Sequence, residues 1–230
     1  AWLLGKRRVL IIAPEAGWGR RASEYFEQTW VERGGAIVSS VHYPATVRDF
    51  STLLKAPLHI DASETRGAEL KRFINSRLTT RARRRQDIDL VVMLSYPSIA
   101  RQIKPALEFL YAADLPVYAS SHIFTGLARG SVDRDLSGIE FCAMPWMLDG
   151  QLATPLSPDP ELHTALQRFY ALGYDAFLVH RELANLQRAE GKPPLFAATG
   201  LLSLESGKIK RRTGWAKFDR GRVVAIDASE

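Results

Sequence analysis

Cysteine is almost missing from this sequence. Cys142 is the only one in 230 residues, so no internal disulfide can form and no C-x-x-C pair can hold zinc. A lone thiol suits the cytoplasm, and equally a periplasmic domain whose core needs no staple. Histidine is scarce too: His42, His59, His122, His163 and His180 include no H-x-x-x-H pair, so no metal site is expected from local spacing. No apolar run approaches the roughly 18 residues that cross a bilayer. The start, Ala1-Trp2-Leu3-Leu4-Gly5-Lys6-Arg7-Arg8, does not have the form of a signal peptide, because its apolar stretch is short and its charges follow it. With no initiator methionine, the sequence is expected to begin inside a longer protein, any targeting signal lying upstream. The phosphate-binding G-x-x-x-x-G-K-[ST] loop and the G-x-S-x-G nucleophile elbow are both absent.

What is present is ordinary for a folded domain. Hydrophobic residues make up 46% and charged residues 24%, enough apolar material for a core and too little charge for disorder. The length suits one two-lobed domain or two small ones. The formal charge of +6 permits an acidic partner. The run Arg81, Arg83, Arg84 and Arg85 is expected to be the solvated end of a helix. No stacking aromatics or reading helix accompany it, so nucleic acid is not an expected partner.

The run from Arg8 to Ala13 is apolar from Val9 onward and is closed by Pro14, the pattern of a buried parallel strand. Ala22, Tyr25, Phe26, Thr29 and Trp30 then recur at helical spacing until Gly34-Gly35. A β-branched run over 36–41 completes strand, helix, strand. A looser stretch with Pro44 and Pro57 leads to a helix over 63–78, with Leu70, Phe73, Ile74 and Leu78 on one face. Residues 89–94 predict a second buried strand and 98–110 a helix with Ile99, Ile103, Leu107 and Leu110 in a stripe. Residues 115–119 predict a third strand. The alternation specifies an α/β fold with a parallel sheet flanked by helices. Beyond Ser121 the texture changes. A short strand is expected at 139–141, a loop around Pro155, Pro158 and Pro160, and two helices, 161–171 and 174–190, separated by Gly173. Four short strands at 201–204, 208–212, 216–218 and 222–226 follow, with turns at Ser206-Gly207 and Arg220-Gly221, reading as an antiparallel meander.

Few residues suggest chemistry. Gly17-Trp18-Gly19-Arg20-Arg21-Ala22 formally matches the dinucleotide pattern G-x-G-x-x-A. However, Pro14-Glu15-Ala16 separate it from the strand, Glu15 would repel a pyrophosphate, and the second strand ends in Val41-His42-Tyr43 without an acid for the ribose. Ser120-Ser121-His122 superficially resembles a nucleophile and base, but neighbours in an extended strand face opposite ways. Asp133 and Asp135 read as turn chemistry. No catalytic residue, metal or cofactor is expected. Ligands of open α/β sheets sit beyond the carboxyl ends of the strands. There this sequence offers Trp18, Tyr96, Ser121 and His122 as the lining of a binding cleft, the alternative being that Trp18 and Tyr96 merely cap the sheet edge.

These residues carry a resemblance. The first half is similar to the second lobe of type I periplasmic binding proteins. Within that superfamily the chain resembles the LpoA/LppC family of penicillin-binding-protein activators. The resemblance rests on Ala100-Arg101-Gln102-Ile103-Lys104-Pro105, Tyr111-Ala112-Ala113-Asp114-Leu115-Pro116-Val117-Tyr118-Ala119, Ser121-His122-Ile123, Met144-Pro145-Trp146 and Leu172-Gly173-Tyr174-Asp175-Ala176. Asp135-Leu136-Ser137-Gly138-Ile139 and the tail Ala198-Thr199-Gly200-Leu201-Leu202-Ser203-Leu204 with Ile209-Lys210-Arg211-Arg212 also match. The resemblance implies a non-catalytic periplasmic domain, held at the outer membrane by an upstream lipid, whose partner is a bifunctional class A penicillin-binding protein. It also implies that 1–125 and 196–230 form the second lobe and 126–195 a return segment of an incomplete first lobe. The superfamily's ligand contacts carry over onto Trp18, Tyr96, Ser121 and His122. The alternative is a periplasmic receptor for an amino acid or small metabolite.

Overall fold

The apolar runs read from the sequence are strands, and their order explains their composition. The computed structural model describes residues 1–74, 79–148, 164–188 and 194–226. β1 (Arg8–Pro14), β2 (Ala36–Tyr43), β3 (Leu90–Met93) and β4 (Val117–Ala119) are parallel, in the order β2-β1-β3-β4. β1 and β3 are central, so Val9 to Ala13 and Leu90 to Met93 are buried on both faces. A strand covered on both sides has no reason to alternate with polar residues. Val9, Ile11, Ala13, Leu90, Val92 and Leu94 form one core layer, against which Trp18, Ala22, Phe26 and Trp30 of α1 (Gly17–Glu32) pack.

Both glycines that end α1 are required. Gly34 has φ +88°, and a Cβ on Gly35 would lie 2.2 Å from Trp30 Nε1. That indole nitrogen donates to the Arg7 carbonyl at 2.8 Å, tying the end of the helix to the start of β1. At the same strand ends Asp89 accepts from the Arg7 and Arg8 amides (3.0 and 2.9 Å) and from Arg8 Nη2 (2.8 Å). The Arg8 side chain, then these amides, hold its carboxyl well below the usual aspartate range.

Several expectations need correction. A short helix, α2 (Phe50–Lys55), precedes the expected one. Asp49 caps it, accepting from the Ser51 and Thr52 amides. α3 begins early, at Ile60–Ile74, and Leu78 lies outside the described residues. Its apolar face is not core: Leu70, Phe73 and Ile74 are exposed, and Ile60 is the buried residue. In α4 (Pro97–Phe109) the expected stripe does turn inward at Ile103 and Leu107, with Leu110 just beyond.

The arginine run is not the end of a helix. Arg84 is buried, donating to the Tyr111 carbonyl (3.0 Å), the Arg85 carbonyl (2.7 Å) and the Asp114 carboxylate. Arg85 grips Asp87 through two 2.6 Å bonds. That contact is the main cause holding the Asp87 carboxyl at about 2.

The chain divides into two units, Ala1–Ile123 and Phe124–Glu230. In the second, β5 (Glu140–Ala143) pairs antiparallel with β9 (Gly214–Asp219), which pairs with β10 (Arg222–Ile226). β6 (Leu195–Ala197), β7 (Gly200–Glu205) and β8 (Lys208–Arg212) make a separate antiparallel sheet. The expected meander is therefore two hairpins in different sheets. Both turns are as read, with positive φ at Ser206, Gly207, Arg220 and Gly221, the geometry that matches strand twist. Phe124, Phe141 and Phe218 pack as a buried aromatic cluster.

Gly173 does not separate two helices. α5 (Thr164–Gln187) runs through it, since one glycine costs a helix only about 1 kcal/mol. The loop at Pro155, Pro158 and Pro160 lies outside the described residues.

Candidate ligand cleft at the strand ends

Because β1, β3 and β4 are parallel, their carboxyl ends open side by side. Each is followed by a change of direction that presents a ring. After β1, Ala16 leads into α1 without a side-chain cap, placing Trp18 in the first turn. After β3, Ser95 and Tyr96 precede Pro97, whose fixed φ starts α4. After β4, Ser121–Ile123 coil into a 3-10 turn carrying His122.

Three of the four expected residues come together. The Trp18 and His122 rings stack with centroids 4.4 Å apart and planes 24° from parallel. Tyr96 meets both edge-on, 5.3 Å from Trp18 and 5.9 Å from His122. Trp18 and His122 are half-buried and Tyr96 is 50% exposed. Ser121 opens the turn and is half-buried. Ser120 Oγ lies 3.3 Å from His122 Nδ1. Ser120 and His122 stand two residues apart, so the rule that strand neighbours face opposite ways bears on Ser121 and His122 and not on this pair. Beside Tyr96 in the chain, the Ser95 hydroxyl is fully buried and has no hydrogen-bond partner among the described residues, an uncommon state for a polar atom.

The glycines beside this cluster serve packing. A Cβ on Gly19 would sit 2.4 Å from both the Pro14 ring and the Pro14 carbonyl oxygen. Glycine there lets α1 press onto the end of β1, which accounts for Gly19 without a phosphate. Glu15 is exposed and faces Arg20 at 3.6 Å. A second serine–histidine contact, Ser23 to His42 Nε2 at 2.9 Å, is also structural. The Ser23 hydroxyl donates its one proton to the Arg20 carbonyl, so the imidazole donates to Ser23. Among the described residues no group of three His, Cys, Asp or Glu side chains could hold a metal ion. The cluster offers aromatic faces, a phenol and hydroxyls: the means to grip an apolar or planar group.

One functional-looking residue escaped the site reading. Asp175 of α5 is buried and accepts from the Ala198 amide (2.7 Å), the Thr199 amide (2.8 Å) and Thr199 Oγ1 (2.5 Å). It borders an open cavity of about 370 Å³ whose wall also includes Leu172, Val179, Leu202, Ile209 and Arg211. The signal available in the sequence was an aspartate between apolar residues in a helix, a position that demands donors.

A family model described as "LppC putative lipoprotein" matches residues 1–221. The chain belongs to the LppC family. The penicillin-binding protein activator LpoA of Vibrio cholerae serotype O1 is 28% identical over 222 residues, covering 93% of this LppC chain and 36% of the relative. LpoA of Edwardsiella ictaluri is 24% identical over 240 residues, covering 98% and 35%. The LppC chain thus spans about a third of the curated relatives it matches. Among solved structures, the LpoA C-domain from Haemophilus influenzae, titled a regulator of PBP1A, superposes with a TM-score of 0.65 at 19% identity, covering 98% of this chain and 63% of that one. The leucine-binding protein LivK of Thermotoga maritima gives 0.53 at 16% identity, covering 98% and 61%. At these identities the structures establish the fold: a type I periplasmic-binding-protein-like α/β architecture shared with the LpoA C-domain.

Proposed function

We propose that this LppC-family chain is a non-catalytic periplasmic part of a lipoprotein that binds and activates a bifunctional class A penicillin-binding protein in peptidoglycan synthesis. The observation that carries the reading is the family match over residues 1–221, together with relatives named as penicillin-binding protein activators. A lipid attached upstream holds the full protein to the outer membrane. In the same reading, 1–125 and 196–230 belong to one lobe and 126–195 to the return segment of the other. The test mixes the chain with a class A synthase and follows glycan polymerisation and cross-linking, an intact LpoA relative serving as positive control. Stimulation by the chain is expected. Neither binding nor stimulation, with the control active, would sink the proposal.

A second reading, a receptor for an amino acid or small metabolite, is favoured by the rings at the strand ends. Trp18, Tyr96, Ser121 and His122 would contact the ligand. A ligand present at about 100 times its Kd raises stability by about 2.7 kcal/mol, so a thermal-shift screen starting with leucine tests it. A shift that vanishes in Trp18→Ala supports this reading, and an unmoved melting curve across the screen removes it.

A further inference from the structure

The +6 charge is not spread evenly. β8 reads Lys208-Ile209-Lys210-Arg211-Arg212, and all five residues are exposed. Several cations elsewhere are tied down, among them Arg8 to Asp89, Arg84 to Asp114 and Lys104 to Glu108. Among the described residues no carboxylate pairs with any of the four β8 cations, nor with Arg220 or Arg222 on the neighbouring hairpin.

The strand is also open along one side. It pairs with β7 from Leu201↔Arg212 to Glu205↔Lys208 and ends the sheet β6-β7-β8, so among the described residues its outer amides and carbonyls meet no other strand. Lysine on an edge strand commonly serves to repel stray strands. That role does not account for the concentration here. β2, also an end strand, has no Lys or Arg, and β10 has only Arg222. Strand periodicity places Lys208, Lys210 and Arg212 on one face at intervals of about 7 Å, with Arg211 on the other. The template is held firm at both ends of β7, by the Ser206-Gly207 turn and by the Asp175 bonds to Ala198 and Thr199.

We propose that the outer edge of β8 docks an acidic, extended polypeptide segment, which joins the β6-β7-β8 sheet as a fourth strand. Main-chain pairing supplies the geometry, and acidic side chains at alternate positions face Lys208, Lys210 and Arg212. Ile209 is the one apolar residue of the strand and no aromatic interrupts it, which disfavours a single-stranded nucleic acid that would need stacking platforms. The inference is independent of which protein supplies the segment.

The test uses the chain itself and a labelled peptide of alternating Glu and Val, with binding followed by fluorescence anisotropy. Saturable binding that weakens with added salt is expected. The combined variant Lys208→Glu, Lys210→Glu, Arg212→Glu should weaken it by roughly tenfold or more, while Arg21→Glu with Arg33→Glu leaves it unchanged. A peptide N-methylated along one edge should also fail. Circular dichroism of the triple variant checks that these exposed changes leave the fold intact. Equal binding of the N-methylated peptide would overturn strand addition, and equal binding by the triple variant would overturn the location. Absence of peptide binding overturns the proposal, and co-sedimentation with phosphatidylglycerol vesicles in its place would assign the cations to a lipid surface.

Discussion

In the first unit, Val9 to Ala13 are shut away from water and the charges at their edge are matched, Arg8 to Asp89 and Arg85 to Asp87. In the second, α5 leaves Phe169 and Phe177 more than 60% exposed, and the β8 cations meet no carboxylate among the described residues. The difference follows from layering. A parallel sheet with helices on both faces buries the apolar side chains of its central strands on both sides. A small antiparallel sheet beside one helix has fewer places to bury either. The central strands of the first unit are scaffold, and β8 of the second is display.

The contrast breaks most readily in the buried strand. Ile11→Ala should cost about 2–5 kcal/mol in urea unfolding, and a loss below about 1 kcal/mol would mean that the first unit is less tightly packed than described. The second unit has a committed polar position as well. Asp175→Ala strands three donors and should cost about 1–3 kcal/mol, seen as a lowered urea midpoint. The two helix glycines sharpen the comparison, because they should move in opposite directions. Gly19→Ala drives a methyl into Pro14 and should destabilise by about 1–3 kcal/mol. Gly173→Ala meets nothing within 4 Å and should stabilise by about 0.5–1 kcal/mol. Paired melting curves of the two variants settle their signs.

Acid should act on the first unit more gently, since the paired carboxylates are partly solvated. Asp87 is held at about 2 and Asp89 lower still. The stability they contribute is therefore complete above the ordinary aspartate value of about 4 and drains away as pH falls through their folded values. The melting temperatures of wild type and Asp89→Asn should differ at pH 7 and converge toward pH 2. The smallest effect belongs to α5, where Phe177→Ala should shift stability by no more than about 0.5 kcal/mol.

The parallel strands could be read directly because burial on both faces leaves an unbroken apolar run, as at Val9 to Ala13. The hairpin turns could be read because Ser206-Gly207 and Arg220-Gly221 have few other uses. What could not be read was decided by distant partners. Leu70, Phe73 and Ile74 have helical spacing, but spacing reports that a face exists and not that anything covers it. Arg84 looks like any member of a basic run until the Tyr111 carbonyl and Asp114 supply the reason to bury it. α2 is too short for periodicity, and its signal was the cap, Asp49 ahead of Ser51 and Thr52. At the candidate cleft, Trp18, Tyr96 and His122 followed from the rule that parallel strands aim their ends together. The proximity of Ser120 to His122 was legible in principle, because residues two apart in an extended segment share a face.

The clasp between Asp175 and the Ala198-Thr199 segment has a mechanical consequence. One side chain on a long helix grips the backbone just where β7 begins, so the hairpin is mounted like a lever on a fixed pivot. A load taken up along Lys208 to Arg212 would pass through β7 to that carboxylate and be felt along the whole length of α5.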